Sequence, residues 1–345
     1  MFPMLKKATS RAAQSPAFEK FVTLLEKVDR QSPGLLRVLM YHRVDEPGAH
    51  PWLDPALISA SPEDFGEQMK YLASNYQVVN LNDVISALES GNRNELPPRA
   101  VLVTFDDGYC DFEEHAWPIL RRYEIPAILF VPTAFPDQPE RTFWWDDLHQ
   151  VAQNTAQTAT LNTLIDSLNL LSTDRIQTYR QLRSYLKTLK HTEAIAIVKR
   201  LCRELDVQPA PNNILSWGAL RKLSSEGLTL GAHTKTHALL NRISIEEARE
   251  EVIGSLDDLE RQIGSALPIF AYPSGQVSDE VISLLERERF VLAFATKRGI
   301  NNLNHIHPLR IGRINIGPGT TLPILGARLL SWTAHLSWLQ TLMNA

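Results

Sequence analysis

Asp106 and Asp107 stand side by side at the end of an apolar, β-branched run, Val101-Leu102-Val103-Thr104-Phe105, and Gly108 follows at once. Adjacent carboxylates behind a buried strand repel each other unless a cation or a shared proton relieves them. His233 and His237 are four apart in the segment His-Thr-Lys-Thr-His. On a helical turn this spacing puts two imidazoles on one side, which suits joint ligation of one metal. Two histidines and one carboxylate make a three-ligand site with a position open to water or substrate. One aspartate would then ligate the ion, leaving the other to take a proton from bound water. His42 directly follows the run Arg37–Tyr41 and is the candidate general acid, since an ordinary imidazole titrates near neutral pH. His305 and His307 precede the last apolar run and are its rivals.

These residues need strands to position them. The runs 37–41, 101–105, 126–131, 228–232, 268–272 and 290–295 read as short buried strands, with a last one over 311–316. Helical patterns fall between them. Ser61-Pro62-Glu63-Asp64 is a helix start, and Phe65, Met69 and Leu72 form its buried stripe. Ser244-Ile245-Glu246-Glu247 is a capping box that opens a helix to about Ile263. The alternation predicts an α/β fold with parallel strands. Four strands end in a polar group: His42, Asp106 with Asp107, His233 with His237, and the turn Pro273-Ser274-Gly275. In parallel barrels the strand C-termini share one face, so all four groups should converge there.

Residues 1–36 read as an N-terminal arm, with Phe18, Phe21, Val22, Leu25 and Val28 at helical spacing. The barrel should span 37–345. Residues 43–60 read as a Pro-rich loop, and 137–215 as a mostly helical insertion. Phe143-Trp144-Trp145 at its start would either stack on a sugar ring or pack the insertion onto the barrel. An apolar helix is expected over 322–343, packed on the core or, alternatively, lying on a membrane surface.

Composition narrows the function. The 345 residues carry 35 Lys+Arg against 39 Asp+Glu, a net charge of −4, which argues against a nucleic-acid-binding surface. Cys110 and Cys202 build neither a disulfide framework nor a Cys-rich metal site. No stretch reads as a signal peptide or spanning helix, so a cytoplasmic protein is expected. Oligomeric state is not legible.

The motifs Thr104-Phe105-Asp106-Asp107-Gly108 and His233-Thr234-Lys235-Thr236-His237 resemble the first two motifs of the polysaccharide deacetylase family, carbohydrate esterases with the NodB homology domain. The resemblance covers roughly 37–316 and implies a distorted (β/α)7-type barrel. It implies Asp106 as catalytic base and Asp107, His233 and His237 as ligands of a divalent metal, usually zinc. The family's third motif, Arg-x-Pro-Tyr/Phe-Gly, is matched here by Ala271-Tyr272-Pro273-Ser274-Gly275, without the arginine that orients the base. Ser274 can still offer its backbone N–H to an oxyanion. The late Leu-x-x-His motif is absent. Instead Val38-Leu39-Met40-Tyr41-His42 is similar to the poly-N-acetylglucosamine deacetylase subgroup, which implies His42 as the acid. The expected reaction is hydrolytic removal of N-acetyl groups from an amino-sugar polysaccharide or oligosaccharide. Deacylation of a lipid-linked sugar or small amide, and a non-catalytic carbohydrate-binding role, are the alternatives.

Overall fold

The structure, a computed structural model, describes residues 15–29, 34–91, 95–138, 140–153, 163, 175–208, 211, 213–297 and 299–331. Its strands are β1 (Leu35–Tyr41), β2 (Arg43–Val44), β3 (Ile58–Ala60), β4 (Gln77–Val78), β5 (Ala100–Phe105), β6 (Ala127–Val131), β7 (Thr229–Ala232), β8 (Ile269–Ala271), β9 (Leu292–Phe294), β10 (Asn301–Asn302) and β11 (Ile314–Asn315). The helices are α1 (Pro16–Val28), α2 (Pro62–Asn75), α3 (Leu81–Glu89), α4 (Trp117–Arg122), α5 (Trp144–Gln153), α6 (Arg175–Leu186), α7 (His191–Glu204), α8 (Trp217–Ser225), α9 (Ile245–Ile263), α10 (Asp279–Arg287) and α11 (Leu322–Leu329).

The main sheet runs β10-β1-β5-β6-β7-β8-β9, and every pair from β1 to β9 is parallel. The ring is closed by the segment 311–315. Ile311 exchanges backbone hydrogen bonds with Ala293 and Ala295 beside β9, and β11 pairs in parallel with β1. This is the distorted (β/α)7 barrel expected. Gly312 makes the closure fit. A Cβ there would stand 2.3 Å from the Lys297 carbonyl oxygen. Its N–H donates to Asn301 Oδ1 at 2.7 Å.

Strand alternation sorts the side chains. Leu39, Tyr41, Val101, Val103 and Phe105 pack outward against Phe65, Leu72 and Trp217 of the helices. Leu36, Val38, Leu102, Ile128, Phe130, Leu292 and Phe294 form the inner cluster. A period of two therefore assigns Met40 and His42, and Thr104 and Asp106, to the inner face. The helices start where the caps direct. Ser61 accepts from the Asp64 N–H, and Ser244 and Glu247 form a reciprocal capping box.

Between β6 and β7, helices α5, α6 and α7 share their own small core of Leu148, Val151, Tyr179, Leu182, Leu186, Val198 and Leu201. Segment 43–60 differs from the expected loop. It contains β2 and β3 as a small parallel sheet, and a 3-10 turn at Pro55–Leu57. Burial of Arg43 there is supported by Asp45 and by Asp111, whose Oδ2 accepts from Nε at 2.7 Å.

Helix α1 forms as expected, but Val22 alone is buried on it, and Phe21 and Val28 are exposed. It is held instead by Val22 set against Gly326 of α11 and by Glu26, which accepts from Tyr71 through its carboxylate and from Arg99 through its backbone carbonyl. The described part of the C-terminal helix ends at Leu329, where Leu330 turns extended and Asp29 takes the N–H of Ser331. Trp332, Leu336 and Leu339 lie outside the described residues. No helix among the described residues is long and apolar enough to cross a membrane.

Closure through Gly312 is testable. Gly312→Ala should cost about 1–3 kcal/mol by overpacking. Gly66→Ala, in α2 with nothing within 4 Å of the added methyl, should instead gain up to about 1 kcal/mol. Urea unfolding of both variants reads this directly, and an unmoved midpoint for Gly312→Ala would mean that the barrel seam is looser than described.

Candidate active site

A cavity of about 380 Å³ opens at the C-terminal ends of the strands and is lined by His42, Asp106, Asp107, His233, His237 and Ser274. The four strand ends thus converge on one face. The turns that carry these side chains use left-handed backbone: Asp107 has φ 76°, Thr234 62°, His237 58° and Ser274 53°. Non-glycine residues hold such angles only where surrounding structure fixes them, and they cluster at functional sites. Gly108, at φ 72°, supplies the exit turn.

Residues 233–237 do not form the helical turn that their spacing suggested. They are loop, and the positive φ of Thr234 and His237 brings the two imidazoles together, with ring centroids 4.9 Å apart. The reason lies in β7, which ends at Ala232. The chain must turn across the barrel mouth, where the Thr133 and Ala134 N–H groups donate to the carbonyl oxygens of Thr234 and Lys235.

Asp106 is held by a residue that sequence reasoning missed. Arg313 Nη1 and Nη2 donate to its two carboxylate oxygens at 2.6 and 2.7 Å. The guanidinium is fully buried. It also donates to Thr104 Oγ1 at 3.3 Å and to the Ala295 carbonyl oxygen at 3.3 Å. Burial alone would raise the Asp106 pKa, but Arg313 and then His233 outweigh it and hold the carboxyl below its ordinary value. The arginine absent from Ala271–Gly275 is therefore supplied from the barrel's closing segment.

Asp107, His233 and His237 form a cluster whose ligand atoms all lie within 4.8 Å of one another. His233 Nε2 is 3.5 Å and His237 Nε2 3.4 Å from Asp107 Oδ1. That oxygen is buried and has no hydrogen-bond partner. His233 Nδ1 lies 2.7 Å from the Ala271 carbonyl oxygen, which fixes the proton on Nδ1 and leaves the Nε2 lone pair facing Asp107. Asp107 Oδ1 and the Nε2 atoms of the two histidines thus converge on one point, an arrangement that fits a cation in place of the proton His233 can bind there. Burial raises the Asp107 pKa, but His233 and His237 reverse this and hold it well below the carboxylate range. His237 is pushed down to about 3 by burial and stays neutral. Burial also lowers His233, but Asp106 and Asp107 prevail and hold it above 6.5.

His42 lines the same cavity, its N–H donating to Ser59 Oγ at 2.9 Å. Burial lowers its pKa against the pull of Asp107 and Asp106. His305 and His307 are exposed and line none of this cavity, and His307 is 3.3 Å from Glu286. Phe143 and Trp145 are buried, stacked at 4.3 Å, and Trp145 meets His237 edge-on at 4.7 Å. Trp145 Nε1 donates to Tyr109 Oη, which donates to Asp146. Burial pushes Asp146 up to about 7. Two more residues missed in the sequence, Arg183 and Lys187, line the cavity from the insertion.

The comparisons with known proteins agree with this geometry. The family model for polysaccharide deacetylases matches residues 93–291. The Bacillus subtilis protein YxkH, whose name places it among polysaccharide deacetylases, is 18% identical over 325 residues, covering 92% of this chain and 86% of its own. Escherichia coli poly-β-1,6-N-acetyl-D-glucosamine N-deacetylase is 31% identical over 102 residues, which is 29% of this chain and 14% of that protein. The deacetylase PplD of Streptococcus pyogenes, solved with acetate, superposes with a TM-score of 0.58 at 22% identity over 87% of this chain and 99% of that one, a likeness of fold. With its two motifs, its barrel and a family match over 199 residues (93 to 291), the chain belongs to the polysaccharide deacetylase family and is a hydrolase of the N-deacetylase type.

Proposed function

We propose that the protein is a divalent-metal-dependent hydrolase that removes N-acetyl groups from an amino-sugar polysaccharide or oligosaccharide. The observation that carries this is Asp107 Oδ1, a buried carboxylate oxygen without a hydrogen bond, facing the Nε2 atoms of His233 and His237. A donor set of two imidazoles and one carboxylate suits zinc and leaves coordination positions open. The short stretch shared with the poly-β-1,6-N-acetyl-D-glucosamine N-deacetylase supports an N-acetylhexosamine substrate.

A divalent ion bound by Asp107, His233 and His237 would polarise the acyl carbonyl and acidify water. The chain's own groups move the protons. Asp106, ionised and oriented by Arg313, takes a proton from the attacking water. The Ser274 N–H donates to the oxyanion that forms as water oxygen bonds to the acetyl carbon. His42 gives a proton to the amine as the C–N bond breaks, so that acetate and a free amino sugar leave. Its lowered pKa makes the protonated ring a stronger acid for this step. Arg313 acts through Asp106 and is a positioning residue. Its presence weakens a non-catalytic, carbohydrate-binding reading, which rested on the missing arginine together with the missing late Leu-x-x-His motif.

Three outcomes test this reading. Purified protein should release acetate from N-acetylglucosamine oligomers with added zinc and stop with chelator. Asp106→Asn should lose about 10²–10⁴ of kcat while still binding one zinc, and loss of zinc in that variant would make Asp106 a ligand instead. Arg313→Gln leaves a buried carboxylate unpaired. It should lower unfolding free energy by about 3–5 kcal/mol, and kcat by about 10² through misplacement of the base. A variant of full stability and activity would refute the positioning role.

Zinc affinity should also depend on pH with a fixed sign. Proton and ion compete for His233 Nε2, whose pKa lies above 6.5. Above that pKa the ring is neutral and free to ligate. As pH falls through it, each bound ion must displace a proton, and affinity should drop about tenfold per pH unit. Calorimetric zinc titration between pH 6 and 9 checks this, and a flat profile would remove His233 from the ligand set.

A further inference from the structure

The helical insertion brings two cations to the cavity. Arg183 sits on the last turn of α6, and Lys187 follows one turn later, its N–H bonded to the Arg183 carbonyl oxygen at 3.3 Å. Both line the same cavity as His42, Asp106 and Asp107. Neither is fully satisfied. Arg183 Nη1 donates to Asp54 Oδ2 at 3.0 Å, but its Nε is buried without a hydrogen-bond partner. Lys187 is half-buried, and among the described residues no carboxylate lies within 4.0 Å of its ammonium. A buried donor such as the Arg183 Nε is rare without a partner in folded proteins and calls for one.

The carboxylates around the cavity are already committed. Both oxygens of Asp106 accept from Arg313. Asp54 Oδ2 accepts from Tyr179 and Arg183, and its Oδ1 accepts from the Ala56 N–H. Asp107 faces the two metal-competent imidazoles. With a divalent ion at Asp107, positive charges around the cavity outnumber carboxylates, and Lys187 is the cation left without an acid. Burial, with Arg183 adding to it, pushes the lysine down to about 8 against the weaker pull of Asp107 and Asp54.

We propose that Lys187 and Arg183 form an oxyanion subsite, so that the preferred substrate is an N-acetyl amino sugar bearing a phosphate or carboxylate beside the acetylated unit, rather than a neutral glycan. This deepens the deacetylase reading and rests on it. Lysine and arginine donors to an oxyanion make short, charge-assisted hydrogen bonds, and these are strong where water is excluded. A neutral N-acetylglucosamine chain offers such a pair hydroxyl and carbonyl acceptors but no counter-charge.

The test is a matched set of N-acetylglucosamine trisaccharides: unmodified, phosphorylated at C6, and oxidised to the C6 carboxylate. Acetate release by the zinc-loaded protein gives kcat/KM for each. The charged substrates should exceed the neutral one by at least about tenfold, and this ratio should shrink as salt rises. Lys187→Gln should bring the ratio down by about tenfold, mostly through KM, and Lys187→Arg should retain it. Preference for one charged substrate over the other identifies the oxyanion. Equal rates on neutral and charged substrates, or a ratio that Lys187→Gln leaves as it was, overturn the subsite while the deacetylase reading stands. Acetate release from none of the three overturns both.

Discussion

The site depends first on the ion pair between Asp106 and Arg313. Both side chains are nearly inaccessible, at 4% and 0% exposure. Each charge costs several kcal/mol to take out of water, and only a close, fully hydrogen-bonded geometry offsets that. The fork of two bonds meets this condition, and it does more than neutralise. It fixes the plane of the carboxylate and keeps it ionised. Because Arg313 stands on the segment that seals the barrel, Asp106 is oriented only when the ring is closed. Fold closure and the geometry of the candidate site are therefore one constraint.

Above this rigid floor, the mouth of the barrel is built from strained backbone. Asp107, Thr234, His237 and Ser274 each sit at positive φ, at a cost on the order of 1–3 kcal/mol apiece. The parallel ladder beneath them compensates, with continuous pairing from β1 through β9. Strain is tolerated here because it turns side chains inward that regular strand geometry would send elsewhere. Alternation alone delivers Asp106 to the interior. Its neighbour Asp107 would point outward on an extended chain, and the left-handed turn brings it back to the histidines.

This division explains what the sequence made legible. The strands, the capping boxes at Ser61 and Ser244, and the Asp-Asp and His-x-x-x-His motifs are local patterns, readable over a few residues. Arg313 is not, because its partner lies 207 positions away. The one available signal was a cation in the middle of an apolar strand pattern, Ile311 to Ile316. The path of the chain from His233 to His237 is not legible for a related reason: four-residue spacing fits a helical turn as well as it fits a loop with two left-handed residues. Arg183 and Lys187 illustrate a third limit. Charges on an amphipathic helix normally mark its solvated face, and only the docking of α5, α6 and α7 over the barrel turns these two toward the cavity.

The two histidines of the metal-competent cluster are held by different physics. His233 is oriented by a hydrogen bond from Nδ1 to the Ala271 carbonyl oxygen on β8, an element of the barrel itself. His237 Nδ1 has no hydrogen-bond partner, and its ring is instead wedged by the edges of Trp145 at 4.7 Å and Phe143 at 5.8 Å. Trp145 is in turn fixed through Tyr109 to Asp146, whose other oxygen accepts from the Asp54 N–H. Asp54 is where Tyr179 and Arg183 of α6 attach. One imidazole thus answers to the sheet and the other to the insertion. The insertion is consequently part of the site on two counts, setting the ring of His237 through packing and bringing Arg183 and Lys187 to the cavity wall. A change in how α6 docks would move a metal-competent group and the cationic wall together, because both hang on the same buried Asp54.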